Sequence, residues 1–190
     1  MKDIIAWFGL KRIPFDKNIK PKDVLNTNPF EECAARLDYI KRRSGILLLT
    51  GDPGVGKTLA LRRYVDSLNE NLFKPCYTPL STLSRADLLY HLNRLLGLPP
   101  RLSKSAVYGQ IQQAVIESKE QQGKTIVFII DEAHLLQTGP LEELRLLTNF
   151  KMDSYDPFIL LLSGQSNLNR VMEFAVMEPF NQRIVMGTAD

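Results

Sequence analysis

The chain has 190 residues, 44% of them hydrophobic and 24% charged, with a formal net charge of +3 at pH 7. One filled core fits this length, and the composition excludes a disordered, collagen-like or disulfide-scaffold chain. Cys33 and Cys76 stand far apart without CxxC or histidine spacing, which argues against a zinc site and makes a reduced, cytoplasmic setting the expectation.

The opening "MKDIIAWFGLKRIPF" mixes Trp, Pro and charges where a signal peptide needs an unbroken apolar segment. No apolar run approaches the roughly 20 residues that cross a bilayer, so no membrane segment is expected. Residues 1–44 read as an N-terminal extension packed on the core, rich in Pro, Lys and Asn and ending in a helix over 31–43. Basic residues gather at Lys11, Arg12, Lys17, Lys20 and Lys22, and again at Lys41, Arg42, Arg43, Arg62 and Arg63. Such clusters permit a nucleic-acid partner and equally describe solvated helix faces.

From residue 45 short apolar runs alternate with amphipathic segments, the pattern of an α/β fold with a parallel sheet. "ILLLT" (46–50), "CYTPL" (76–80), "TIVFII" (125–130) and "FILLLS" (158–163) read as strands covered on both faces. Helices are expected over 57–69, over 84–97 with a Ser84 cap, and over 105–123 with a glycine end. Another is expected over 139–149, with Pro140 in its first turn and two glutamates at its positive end, and a last one from Ser166. The core is expected to span 45–184, with 185–190 as a tail.

"GDPGVGKT" fits G-x-x-x-x-G-K-[ST] through Gly51, Gly56, Lys57 and Thr58, and the strand before it and helix after it are the context the motif needs. The loop of Gly51, Asp52, Pro53, Gly54, Val55, Gly56, Lys57, Thr58 and Leu59 is expected to cradle phosphates. Glycines let backbone N–H groups face an anion closely, and the helix start adds positive charge. Lys57 is expected to reach the β- and γ-phosphates, and the Thr58 hydroxyl to ligate Mg²⁺. About 75 residues on, "TIVFIIDEAH" puts Asp131 at the carboxyl end of an apolar strand. Asp131 is expected to hold the magnesium, directly or through water, and Glu132 to act as the base for the attacking water. His134 is expected to be structural or coupling, and His91 a packed or surface residue. After the fourth strand, "LLSGQSN" brings Ser163, Gln165 and Asn167 to the same end of the sheet, with Gln165 the first choice to sense the γ-phosphate or hold the water. "MEPFNQRIVM" offers Arg183, which can serve a neighbour's γ-phosphate if subunits pack head to tail.

With these residues in place the chain resembles an AAA+ ATPase, and more narrowly the ExeA-like group, which grades into the transposition helper ATPases related to TnsC, TniB and the phage Mu B protein. The resemblance covers about residues 5 to 184 and rests on the ordered run "LLLTGDPGVGKT", "VFIIDEAHLL", "LEELRLLTNF", "LLLSGQSNL" and "FNQRI". It implies ATP rather than GTP, an αβα core, and assembly into rings or filaments with ATP between subunits. It also implies that Arg183 is the arginine finger and that adenine is contacted around residues 25–37. Relatives continue into a helical lid with a second sensor arginine, whereas this sequence stops at "VMGTAD", so the lid is expected to be missing or supplied by a partner.

Three roles follow from the resemblance. The first is a DNA-associated transposition helper ATPase that helps a transposase choose or engage its target, switching between ATP-bound assembly on duplex DNA and ADP-bound release. The alternatives are a secretion-assembly ATPase like ExeA and a nucleotide-binding regulatory module with little turnover.

Overall fold

The computed structural model describes residues 2–10, 24–25, 27–79 and 82–187. After a short α1 (Lys2–Trp7), α2 (Asn28–Arg43) starts three residues earlier than the periodicity suggests, because Pro29 occupies the first turn, where its missing N–H costs nothing. Ser44, at φ 61°, ends it and the chain enters β1 (Gly45–Thr50). There follow α3 (Lys57–Asp66), β2 (Phe73–Thr78), α4 (Arg85–Leu95), α5 (Lys104–Glu120), β3 (Thr125–Ile130), α6 (Thr138–Leu147), β4 (Ile159–Gly164), α7 (Asn167–Met172), α8 (Glu178–Asn181) and β5 (Ile184–Gly187). Ser84 and Ser103 cap α4 and α5 through bonds from the Asp87 and Ala106 amides.

The strands form one parallel sheet in the order β2-β3-β4-β1-β5. Each of β1, β3 and β4 is buried along its whole length. Their side chains alternate between two cores: Leu47, Leu49, Val127, Ile129, Ile159 and Leu161 face α2 and α3, while Ile46, Leu48, Phe128, Ile130, Leu160 and Leu162 face α4 to α8. Covering both faces is why these strands read as continuous apolar runs rather than alternating ones. The αβα layering and the parallel sheet agree with the expected fold class.

Several local expectations need correction. The second strand runs over Phe73–Thr78, not 76–80, and Leu80 lies outside the described residues. It is an edge strand, which explains how it tolerates Pro75 without an N–H to donate. Ile184–Gly187 adds a fifth strand beside β1 for which the sequence supplied too short an apolar run to read. Glu142 and Glu143 do not sit in the first turn of α6, which contains no acidic residue. Instead Glu142 pairs with Arg85 at 2.7 Å, and buried Glu143 pairs with Lys104, tying α4, α5 and α6 together.

The basic cluster on α2 and α3 divides. Lys41 bonds Asp38 and Ser67 and lies 5.6 Å from the Tyr64 ring centre, while Arg63 covers the Phe30 ring at 5.3 Å; Arg42, Arg43 and Arg62 are exposed. The earlier cluster, from Lys11 to Lys22, lies outside the described residues. Among the described residues no helix is long and apolar enough to cross a membrane, and Cys33 and Cys76 are free thiols.

Candidate nucleotide site

β1 and β4 lie side by side although they are first and fourth in the chain, so the strand order switches direction between them. In parallel α/β sheets the crevice beyond the carboxyl ends at such a switch collects ligands. The loop after β1 occupies it. Gly54 and Gly56 adopt φ of +85° and +95°, which only glycine enters without strain, and Gly56 sits at the N-cap of α3. Among the described residues no side chain caps that helix start, an end at which first-turn N–H groups can face an anion. Lys57 Nζ arches back over the loop and donates to the Gly51 and Asp52 carbonyls, each at 2.8 Å.

The sheet register carries Asp131 to the same place. Thr78 pairs with Ile130, Ile130 with Leu162, and Leu49 with Ser163, so the residues that follow β2, β3, β4 and β1 emerge at one edge. Asp131 is 4% exposed, and both of its carboxylate oxygens accept hydrogen bonds. Oδ2 receives Thr58 Oγ1 at 3.0 Å and the Tyr77 hydroxyl at 3.2 Å. Oδ1 receives Ser163 Oγ at 2.9 Å and the Glu132 amide at 3.0 Å. The Thr58 and Asp131 oxygens are a hard donor pair suited to Mg²⁺, which keeps several waters and takes substrate phosphates as further ligands.

Glu132 is held in the left-handed region at φ 53°, and its half-exposed carboxylate lies beside His134, with Oε2 3.5 Å from Nδ1. The imidazole itself is buried, and Nδ1 has no hydrogen-bond partner. Gly164 allows this turn to pack against β4, since a Cβ there would lie 2.9 Å from the His134 amide nitrogen.

Beside the loop opens a cavity of about 550 Å³. Phe30, Cys33 and Arg36 of α2 form one wall, and Gly51, Lys57 and Ser166 belong to the other. Burial pushes the Cys33 thiol pKa up, so this wall is neutral at that point. Gln165 follows β4 directly, but it is the neighbouring Ser166, not Gln165, that lines the cavity. Arg183 stands elsewhere. It precedes β5 at the amino-terminal edge of the sheet, where Ile184 pairs with Ile46, and it donates to the Arg145 carbonyl and Thr148 Oγ1 and pairs with Asp153.

Sequence reasoning overlooked Tyr77. Burial first, then the Asp131 charge and hydrogen bond, push its pKa up to about 12, so the phenol stays a donor. The signal was a polar tip at the carboxyl end of the strand beside β3, invisible until β2 and β3 were known to be neighbours.

An AAA domain family model matches residues 40–172, which contain the loop, Asp131 and β4. The chain is 31% identical over 183 residues to the general secretion pathway protein A of Aeromonas hydrophila, covering 94% of this chain and 33% of that protein. It is 30% identical over 162 residues to the ATP-dependent target DNA activator B of Escherichia phage D108, covering 82% of this chain and 48% of that one. The chain therefore spans between a third and half the length of these curated relatives. Among solved structures, the Aeropyrum pernix ORC2 protein superimposes with a TM-score of 0.65 at 16% identity, over 91% of this chain and 49% of its own. With the matched residues carrying the loop, the buried aspartate and the strand between them, the chain belongs to the AAA domain family and has the fold of the AAA+ P-loop ATPases.

Proposed function

We propose that this chain binds ATP with Mg²⁺ and hydrolyses it, and that it acts as a DNA-associated transposition helper, assembling as a homo-oligomer on duplex DNA in the ATP state to engage a transposase. The observation that carries the nucleotide reading is the 3.0 Å contact between Thr58 and Asp131, made across the crevice by residues 73 positions apart. In this reading the loop from Gly51 to Leu59 holds the phosphates through its amides. Lys57 exchanges the Gly51 and Asp52 carbonyls for phosphate oxygens. Thr58 and Asp131 hold the magnesium ion, which when bound neutralises charge on the β- and γ-phosphates. Glu132 swings from His134 to orient the attacking water and accept its proton. Gln165, which follows β4 directly, is the side chain proposed to sense the γ-phosphate or hold the water. The wall of Phe30, Cys33 and Arg36 receives the base.

Arg183 cannot serve its own subunit's nucleotide in this geometry. It sits at the opposite end of the sheet from the phosphate loop, four strand residues of β1 away, about 13 Å at the usual rise. A head-to-tail neighbour is the partner that this placement favours, after Arg183 exchanges Asp153 and Thr148 for the neighbour's phosphate.

The DNA role is supported by the similarity to a target DNA activator, and the exposed Arg42, Arg43 and Arg62 suit a phosphate backbone. The similarity to a secretion pathway protein over 94% of the chain supports a secretion-assembly ATPase as the second reading. The deciding experiment is ATP hydrolysis with and without duplex DNA, at low and moderate salt and over a range of protein concentrations. The transposition reading expects DNA stimulation that grows with protein concentration and weakens with salt. Turnover with no DNA response favours the secretion reading, and tight ATP binding without turnover favours a regulatory module. Glu132→Gln is expected to keep ATP affinity and lose turnover by about 10²–10⁴-fold; unchanged turnover overturns the assignment of the base.

A further inference from the structure

We propose that Tyr77 is a positioning residue for the metal-holding carboxylate, fixing Asp131 Oδ2 in the orientation that Thr58 shares. The inference rests on the reading above that Thr58 and Asp131 hold Mg²⁺. The two carboxylate oxygens are anchored differently. Oδ1 is tied to a fully buried hydroxyl, Ser163, and to the backbone amide of Glu132, both parts of the rigid interior. Oδ2, the oxygen on the loop side, receives the side-chain hydroxyls of Thr58 and Tyr77. Thr58 is itself the second metal-binding group, whereas Tyr77 donates to Oδ2 without also binding the ion.

The fold gives Tyr77 the stiffness this role needs. β2 and β3 pair in register to Thr78 and Ile130, and the ladder continues one step further as the Asp131 amide donates to the Thr78 carbonyl at 3.0 Å. The Tyr77 and Asp131 backbones are thereby locked together, and a tyrosine ring adds only two rotatable bonds between strand and hydroxyl. The ring lies on the side of the sheet that faces α3, 43% exposed, with the Arg62 charge close enough to act on it. Outer partners that orient a ligating group typically change metal affinity by about 10–100-fold when removed.

The test uses Tyr77→Phe, which deletes the hydroxyl and keeps the ring. Binding of a fluorescent ATP analogue is measured first in EDTA, then as a function of added Mg²⁺. The expected result is an unchanged affinity in EDTA and a half-saturating Mg²⁺ concentration raised about tenfold, with Mn²⁺ binding followed by electron paramagnetic resonance shifting in the same direction. Equal weakening with and without metal overturns the proposal, because it marks a general structural role. Metal dependence within about twofold of the parent also overturns it. If the parent protein itself shows no metal effect on nucleotide binding, the Mg²⁺ reading of the site has failed, which is a different result from a metal-dependent parent and an indifferent variant.

Discussion

A single methyl group added at two different glycines is expected to move stability in opposite directions. At Gly164 an added Cβ meets the His134 amide nitrogen at 2.9 Å, Leu168 Cδ2 at 3.1 Å and the His134 Cβ at 3.3 Å. A backbone nitrogen cannot turn away as a side chain can, so either the end of β4 or the turn carrying Asp131 and Glu132 has to shift. Overpacking of this kind costs about 1–3 kcal/mol. For a chain of 190 residues each kcal/mol moves the melting temperature by about 2–4 °C, so Gly164→Ala is expected to melt about 2–12 °C lower. Gly109 is the contrast, exposed within α5 with no atom within 4 Å of an added Cβ. Alanine there restricts the unfolded chain at no steric cost and is expected to add about 0.5–1 kcal/mol, a rise of about 1–4 °C. Thermal unfolding by circular dichroism at neutral pH reads both. A Gly164→Ala protein that melts within about 1 °C of the parent, or a Gly109→Ala protein that loses as much as Gly164→Ala, refutes the packing argument. Because the clash lies behind Glu132, Gly164→Ala is also expected to lower turnover more than ATP affinity.

Ser163→Ala removes a buried donor to a buried carboxylate and is expected to cost about 1.5–3 kcal/mol in urea unfolding; a cost below about 0.5 kcal/mol contradicts the assigned bond. Arg183→Ala breaks contacts with Arg145, Thr148 and Asp153, and is expected to lose about 1–2 kcal/mol while leaving ATP affinity of the dilute monomer unchanged. A fall in that affinity contradicts its placement far from its own loop. Lys104→Ala leaves buried Glu143 with Arg85, 4.0 Å away, as its one cation among the described residues, and is expected to cost about 1–3 kcal/mol. The double change Lys104→Met with Glu143→Leu is expected to cost less than Lys104→Ala alone, as denaturant midpoints will show, since no charge is then left buried without a close partner.

What the residues determined alone is the part governed by local rules. Three buried strands announced themselves because a strand covered on both faces must be apolar at every position, and β1, β3 and β4 are covered in that way. The glycine-rich loop after β1 was legible because Gly54 and Gly56 take a positive φ that favours glycine, and Ser84 marks a helix start because a hydroxyl there satisfies an orphan amide. Asp131 was legible from its position at the end of an apolar strand.

Tertiary structure decided the rest, because neighbours in a sheet are not neighbours in sequence. Only the order β2-β3-β4-β1-β5 brings Tyr77 and Ser163 from two strand ends and Thr58 from the start of α3 onto one carboxylate, and nothing in the local pattern around Tyr77 singles it out. β5 escaped the sequence reading because four residues carry too little periodicity; β1 supplies its pairing. Glu142 and Glu143 read as helix-start charges until α4 and α5 brought Arg85 and Lys104 against them. That Ser166 rather than Gln165 lines the cavity is likewise set by the turn after β4 and not by the local pattern.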